Sequence, residues 1–206
     1  MKTTENYLAE IREIRKMMQE SSRFLSLSGL SGILIGVYAL TGAFVAYRFI
    51  DSATHQSAVN TGEIARQLIM LGAFVLVLSL LTVVGLTYRR AKKEGKNIWN
   101  PGSRLMLLNL AIPLISGGIL ILVFIFRGMY SIVSPACLIF YGLALVNAAK
   151  FTRQEIFYMG IFQILLGIAA ALFPQAGLLL WAVGFGIIHI IYGAVMYFRY
   201  ELKTNS

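Results

Sequence analysis

The chain has 206 residues, of which 58% are hydrophobic and only 13% are charged, and its formal net charge is +9. Soluble domains carry about 25% charged residues, so this composition excludes an ordinary soluble globule and an intrinsically disordered chain. It indicates an integral membrane protein. The one cysteine, Cys137, lies in an apolar stretch, so we expect no disulfide framework, no metal site and no cofactor.

Six uncharged stretches are each about as long as a membrane span, which needs about 20 apolar residues of helix. Every Asp, Glu, Lys and Arg of the sequence lies outside them, as expected because a charge at mid-bilayer costs roughly 2.5–3.5 kcal/mol. The sequence therefore predicts an all-α polytopic membrane protein with one transmembrane bundle over residues 24–198. The six predicted spans are Phe24–Tyr47, Leu68–Tyr88, Leu105–Phe126, Met129–Ala149, Ile156–Phe173 and Ala176–Phe198.

The distribution of basic residues predicts how these spans are threaded. Fifteen of the 18 Lys and Arg fall in the N-terminal segment, in the second and fourth loops and in the tail over residues 199–206. Basic residues accumulate in the short cytoplasmic loops of membrane proteins, so we expect both termini in the cytoplasm and a location in a bacterial inner membrane. The positive charge is then a topology signal, and no soluble domain remains to bind nucleic acid.

Residues 1–23 predict a cytoplasmic amphipathic helix. Tyr7, Ile11, Ile14 and Met18 recur at spacings of 4, 3 and 4, which places them on one helix face. Such a helix either lies along the membrane surface or packs beneath the bundle. The alternative is a short two-stranded coiled coil that joins two copies of the chain.

Two tight exterior turns, Arg127-Gly128 and Pro174-Gln175, predict that the spans pair into three hairpins. The last hairpin reads GIFQILLGIAAALFPQAGLLLWAVGFGIIHIIYGAVMY. With glycines inside both helices and a proline at the exterior turn, it resembles the hairpin of HdeD-like small six-helix bacterial membrane proteins. That resemblance implies a role in resistance to acid or envelope stress, without enzymatic activity.

The first span carries a stripe of small residues at alternating spacings of three and four. Small residues let helix backbones approach closely in a bilayer, where further hydrophobic burial gains little. We expect this stripe to pack against a neighbouring helix of the bundle, with homodimerisation through the same face as the alternative. The stripe comprises Gly29, Gly32, Gly36, Ala39 and Ala43.

Four polar side chains lie inside predicted spans: Asn109, Asn147, Gln163 and His189. One interpretation is hydrogen bonding between helices, worth about 0.6 kcal/mol each. The other is a polar cavity facing the cytoplasm, with His189 as its titratable group. The spans contain no Asp or Glu, which argues against ion-coupled transport.

A Gly-Leu-Ser-Gly string over residues 29–32 resembles the serine motif of rhomboid intramembrane proteases, with His189 as the potential base. The chemistry requires the base within hydrogen-bond reach of Ser31. A packing role for Ser31 is the alternative, because such a string arises readily in a helix rich in glycine and serine.

These observations favour a non-enzymatic multi-pass membrane protein that acts by packing and interaction, of stress-response or regulatory-partner type. A transporter or channel for a small solute, using the predicted polar cavity, is the second hypothesis, and an intramembrane serine protease is the third. Beyond the lipid bilayer itself, the expected partners are a second copy of the chain or another membrane protein.

Overall fold

The computed structural model describes residues 28–55, 61–93 and 101–201, together with Asn6, Tyr7, Ile11 and Trp99. All regular structure in this part of the chain is helical, and six segments are long and apolar enough to cross a membrane. The all-helical class and the six candidate spans are thus confirmed. The amphipathic helix predicted over residues 1–23 falls outside the described residues, apart from three positions.

Between Gly29 and Met196 the described residues form seven α-helices: α1 (Gly29–Thr54), α2 (Thr61–Lys93), α3 (Pro101–Phe126), α4 (Val133–Ala148), α5 (Gln154–Leu172), α6 (Gly177–Ala182) and α7 (Ile188–Met196). Short 3-10 turns precede α4, α5 and α6. The sixth candidate span is composite, because α6 continues through a π-turn (Val183–Ile187) into α7 and ends in a second π segment (Tyr197–Glu201).

The first two helices run beyond the apolar stretches that predicted them. α1 continues to Thr54, and α2 has 33 residues. At 1.5 Å per residue α2 measures about 50 Å, whereas the hydrocarbon core of a bilayer is about 30 Å thick. Charge limits how deep a residue lies in the bilayer but does not end a helix. In the first turns of α2, Glu63 pairs with Arg66 at 2.7 Å.

The sixth span lies between two groups of helices. α1 packs along α2 on one side and along α7 and the Val183–Ile187 turn on the other, whereas α4 packs along α3 and α5. α2 and α3 follow each other in the sequence but do not pack along each other. Both lie at the edge of the bundle, and no residue in the most apolar part of α2 is buried.

The turn after α3 depends on Gly128, whose φ of +71° is rarely adopted by residues with a side chain. Its N–H donates to the carbonyl of Ile125 at 3.0 Å, and the N–H of Met129 donates to the carbonyl of Phe124 at 2.8 Å. These bonds satisfy carbonyls that the end of a helix leaves without partners. The chain can therefore reverse direction within a few residues and bring α4 alongside α3.

Candidate functional site

Glycines of α1 lie directly against the backbone of the sixth span. A Cβ on Gly32 would lie 2.9 Å from the Cα of Gly193, and a Cβ on Gly36 would lie 2.6 Å from the carbonyl oxygen of Gly186. At Gly29 an added Cβ would lie 2.6 Å from the carbonyl oxygen of Gly193. The face that carries these glycines is occupied by the chain's own sixth span. Ala39 and Ala43, the other members of the stripe, are buried.

A second close approach joins α4 to α5. A Cβ on Gly142 would lie 2.6 Å from the carbonyl oxygen of Gly160, and a Cβ on Gly160 would lie 2.8 Å from that of Gly142. The two glycines therefore face each other and draw the two backbones together. The first contact joins α1 to the sixth span and the second joins α4 to α5. Both α4 and α5 also pack against the first part of the sixth span, so side chains from all three can meet.

The π-turn in the sixth span releases a backbone carbonyl in the middle of this arrangement. In an α-helix the N–H of Ile188 would bond to the carbonyl of Gly184, four residues earlier. Here that N–H bonds instead to the carbonyl of Val183. The carbonyl oxygen of Gly184 is consequently available to side chains, and π-turns of this kind recur at functional sites.

Two of the sequence-predicted polar residues converge on this carbonyl. Gln163 on α5 donates from Nε2 to the Gly184 oxygen at 2.7 Å, and Nδ1 of His189 lies 3.0 Å from the same atom. Both side chains are buried. A carbonyl oxygen has two lone pairs and can accept both bonds, so Gly184 joins α5 to the sixth span.

The remaining nitrogen of His189 binds α4. The hydroxyl of Tyr141 lies 2.8 Å from Nε2 of His189. Because a carbonyl can only accept, Nδ1 must carry the proton that it donates to Gly184, and Nε2 of the neutral ring accepts from the Tyr141 hydroxyl. We call the four residues Tyr141, Gln163, Gly184 and His189 the polar cluster.

Aromatic rings extend the polar cluster along the sixth span. Trp181, Phe185 and His189 are spaced four residues apart, and their ring centroids follow one another at 5.0 and 5.9 Å. Tyr141 packs against Phe185 at 5.0 Å and against His189 at 5.4 Å. The imidazole is therefore enclosed by aromatic rings as well as hydrogen-bonded.

The amide of Gln163 is held on one side only. Its Oε1 is buried and has no hydrogen-bond partner among the described residues. A Cβ on residue 184 would lie 2.5 Å from this oxygen and 2.5 Å from Cδ2 of Leu138. Gly184 therefore contributes twice to the cluster, through its carbonyl and through the space that its missing side chain leaves.

The structure places the other two predicted cavity residues elsewhere. Asn109 donates from its side-chain amide to the carbonyl of Leu105 at 2.8 Å, within its own helix α3. Asn147 is half-buried on α4, and its six-residue separation from Tyr141 turns it about 120° away around the helix. Only Gln163 and His189 of the predicted set therefore meet.

The potential protease serine has a different partner. Ser31 is buried, and its hydroxyl donates to the carbonyl of Ser28 at 2.6 Å. Both ring nitrogens of His189 are bonded to Gly184 and Tyr141, which leaves no nitrogen to accept the serine proton. The geometry therefore favours the packing interpretation of the Gly-Leu-Ser-Gly string.

Sequence reasoning missed Tyr141 and Gly184. The four-residue spacing of Trp181, Phe185 and His189 was a signal for one aromatic face on the sixth span, but nothing in the sequence pairs that face with Tyr141. The role of Gly184 depends on a local change in helical hydrogen bonding, for which Gly184 and Gly186 give only a weak indication.

Comparison with known proteins adds no homologue: no family model, curated protein or solved structure matches this chain. Within residues 28–55, 61–93 and 101–201, no group of three or more His, Cys, Asp or Glu is placed to hold a metal ion.

Proposed function

We propose that this protein is a non-enzymatic integral protein of a bacterial inner membrane, with both termini in the cytoplasm, that acts by associating with another membrane protein. Six helices of sufficient length and apolarity support insertion. The excess of Lys and Arg in alternate connections supports the orientation. The HdeD-like pattern of the last hairpin suggests that the association serves resistance to acid or envelope stress.

The observation that carries the non-enzymatic part of this proposal is how the polar cluster is bonded. His189, the side chain best suited to proton transfer, uses both ring nitrogens to hold α4 and the sixth span in place. Gln163 ties α5 to the same carbonyl. Groups bonded in this way stabilise a helix arrangement, as expected of a scaffold that presents a fixed surface to a partner.

Site-specific photo-cross-linking in living cells tests the association. A photoreactive residue at Leu81 on α2 or at Ile112 on α3 projects from the bundle, since both side chains are 67% exposed. We expect at least one of these positions to form a discrete adduct with a membrane protein. The matched control is Leu138, which is fully buried and should form none.

The result that would overturn the proposal is the absence of any discrete adduct, with self or with another protein, at either exposed position under neutral and acid growth conditions. An adduct between two copies of the chain would identify the partner as a second copy. If a deletion strain survived acid stress as well as the parent strain, the proposed stress role would be wrong. The proposed association would be unaffected.

A solute transporter is the second candidate, and one observation favours it. Gln163 Oε1 is buried without a hydrogen-bond partner among the described residues, beside the π-turn, and a passing solute or water could bond to it. The test is Leu166→Cys in a Cys137→Ala background, because Leu166 lies near Gly184. Labelling by a charged thiol reagent would indicate an aqueous cavity, whereas a packed scaffold predicts no labelling.

A further inference from the structure

The cytoplasmic end of α2 carries a dense group of cations. Residues 89–104 contain six Lys and Arg but only one acidic residue, Glu94. Arg89, Lys92 and Lys93 lie in the last turns of α2, and all three side chains are exposed. At 100° per residue these three positions fall within an arc of about 100° and so project from one face of the helix.

These three side chains form no ion pair with any residue of the described part of the chain, in contrast to cations elsewhere. Arg66 pairs with Glu63 at 2.7 Å, and Arg199 on the sixth span pairs with Glu155 on α5 at 3.2 Å. Three neighbouring exposed cations on one helix face repel one another. An anion that bridges them would therefore gain favourable electrostatic energy from all three.

One helical turn nearer to the middle of α2, on the same face, the absence of a side chain at Gly85 leaves a gap in the side-chain surface, which we call the notch. Gly85 precedes Arg89 by four residues and is exposed, and nothing lies within 4 Å of the position that its Cβ would occupy. Leu81 and Tyr88, which are 67% and 59% exposed, lie beside it. The surface therefore combines a cationic group with an apolar recess immediately nearer to the middle of the helix.

The positions of the cations and of Gly85 along α2 determine the depth at which each would lie in a bilayer. The uncharged stretch of α2 ends at Tyr88, and Arg89 to Lys93 continue the helix by about 7 Å. In the membrane-inserted arrangement proposed above, the cations would lie at the level of lipid headgroups, and Gly85 would face the upper part of the acyl chains. Basic residues at this depth attract anionic lipids.

We propose that this face of α2 binds an anionic phospholipid, with its phosphate bridged by Arg89, Lys92 and Lys93 and one acyl chain lying over Gly85. A soluble phosphate compound would satisfy the cations but would make no use of the apolar notch. The site rests on the proposed membrane insertion. It does not depend on a protein partner, because all of its groups belong to α2.

Lipid titration of the purified, delipidated full-length protein in a neutral detergent tests the site. Native mass spectrometry would count bound dioleoyl-phosphatidylglycerol and, separately, dioleoyl-phosphatidylcholine. We expect retention of phosphatidylglycerol at least about tenfold stronger, since each basic residue near an anionic headgroup contributes about fivefold. Equal retention of the two lipids would overturn the proposal.

Two matched variants separate this site from general charge attraction. The triple variant Arg89→Gln/Lys92→Gln/Lys93→Gln should lose about tenfold or more in phosphatidylglycerol affinity. The control Arg48→Gln/Arg127→Gln/Lys150→Gln removes the same charge from exposed positions elsewhere and should change the affinity by less than about twofold. An equal loss in both variants, or no loss in the first, would overturn the site, and Arg89→Gln alone tests it should the triple variant not fold.

Gly85→Leu and a soluble competitor test the notch. The added side chain should weaken phosphatidylglycerol binding severalfold by filling the recess, whereas unchanged affinity would exclude the acyl chain from it. Glycerol 3-phosphate should compete only weakly; competition as strong as that of the lipid would make the ligand a soluble phosphate and overturn the proposal. Because the titration measures lipid affinity alone, failure to find a partner protein by cross-linking would leave its outcome unaffected.

Discussion

His189 is fixed by two hydrogen bonds that require opposite roles of its ring nitrogens, and the contribution of the bond to Tyr141 can be measured. Tyr141→Phe removes the donor to Nε2 and keeps the ring packing, and His189→Leu removes both bonds. In a double-mutant cycle of unfolding free energies in detergent, we expect a coupling between positions 141 and 189 of about 0.6 kcal/mol, and at most about 1.7 kcal/mol. Zero coupling would contradict the Tyr141–His189 bond.

Gly184 lies where an added side chain has no room. Gly184→Ala would place a Cβ 2.5 Å from both Gln163 Oε1 and Leu138 Cδ2. We expect a loss of about 1–3 kcal/mol of stability, measured as a fall in the unfolding midpoint. Gly118→Ala on α3 is the matched control, since nothing lies within 4 Å there and alanine favours helix by up to about 1 kcal/mol. Equal effects of the two substitutions would contradict the close packing.

The contact between α1 and the sixth span depends on glycines of both. A Cβ on Gly193 would lie 2.6 Å from the carbonyl oxygen of Gly29, and one on Gly32 would lie 2.9 Å from the Cα of Gly193. Gly193→Ala and Gly32→Ala should each lower the unfolding temperature, because two backbones must move apart. The double variant should lose less stability than the sum of the two single losses, since both substitutions disrupt the same contact.

The control for this helix contact is Gly72→Ala on α2, where nothing lies within 4 Å of the added atom. It should leave the unfolding temperature unchanged or raise it slightly. A fall at Gly72 as large as that at Gly193 would show that loss of glycine itself, and not separation of α1 from the sixth span, causes the effect.

The sequence predicts these elements unequally, for physical reasons. The positions of the candidate spans follow from the cost of burying charge, which acts on every residue and so leaves a clear pattern. The ends of the helices cannot be predicted from this cost, because basic residues outside the apolar stretch can remain helical, as they do in α2 after Tyr88. The contact of Gly142 with Gly160 needs two helices at once, and the glycines of α4 and α5 carry no spacing that identifies their partner.

The polar cluster shows the same limit. Gln163 and His189 could be selected from the sequence because a polar group in an apolar helix needs a hydrogen-bond partner. Their shared partner is a backbone carbonyl, which every residue possesses, and it becomes available only through the π-turn. Asn109 is also a polar residue in an apolar helix, but its side-chain amide finds its hydrogen-bond partner in its own helix, at the carbonyl of Leu105.

Across the whole molecule, the helices form a closely packed centre with more exposed edges. Glycines bring α1, α4, α5 and the sixth span together, whereas α2 and α3 keep large apolar side chains on the outside. Such surfaces are unfavourable in water and ordinary in hydrocarbon. The purified protein should therefore remain monodisperse in detergent and aggregate when the detergent is removed, as size-exclusion chromatography would show.

The proposed threading through the membrane makes a prediction about three connections at once. With both termini in the cytoplasm, the turn at Arg127 faces the exterior, whereas Lys93 and Lys150 lie inside. In a Cys137→Ala background, Arg127→Cys should react with an impermeant maleimide in right-side-out membrane vesicles, and Lys93→Cys and Lys150→Cys should react only after permeabilisation. All three positions are exposed, so a failure to react reports sidedness. Labelling of Lys93→Cys in sealed vesicles would show that the proposed orientation is wrong. Fifteen of the 18 basic residues would then lie on the exterior side, against the tendency of basic loops to remain in the cytoplasm.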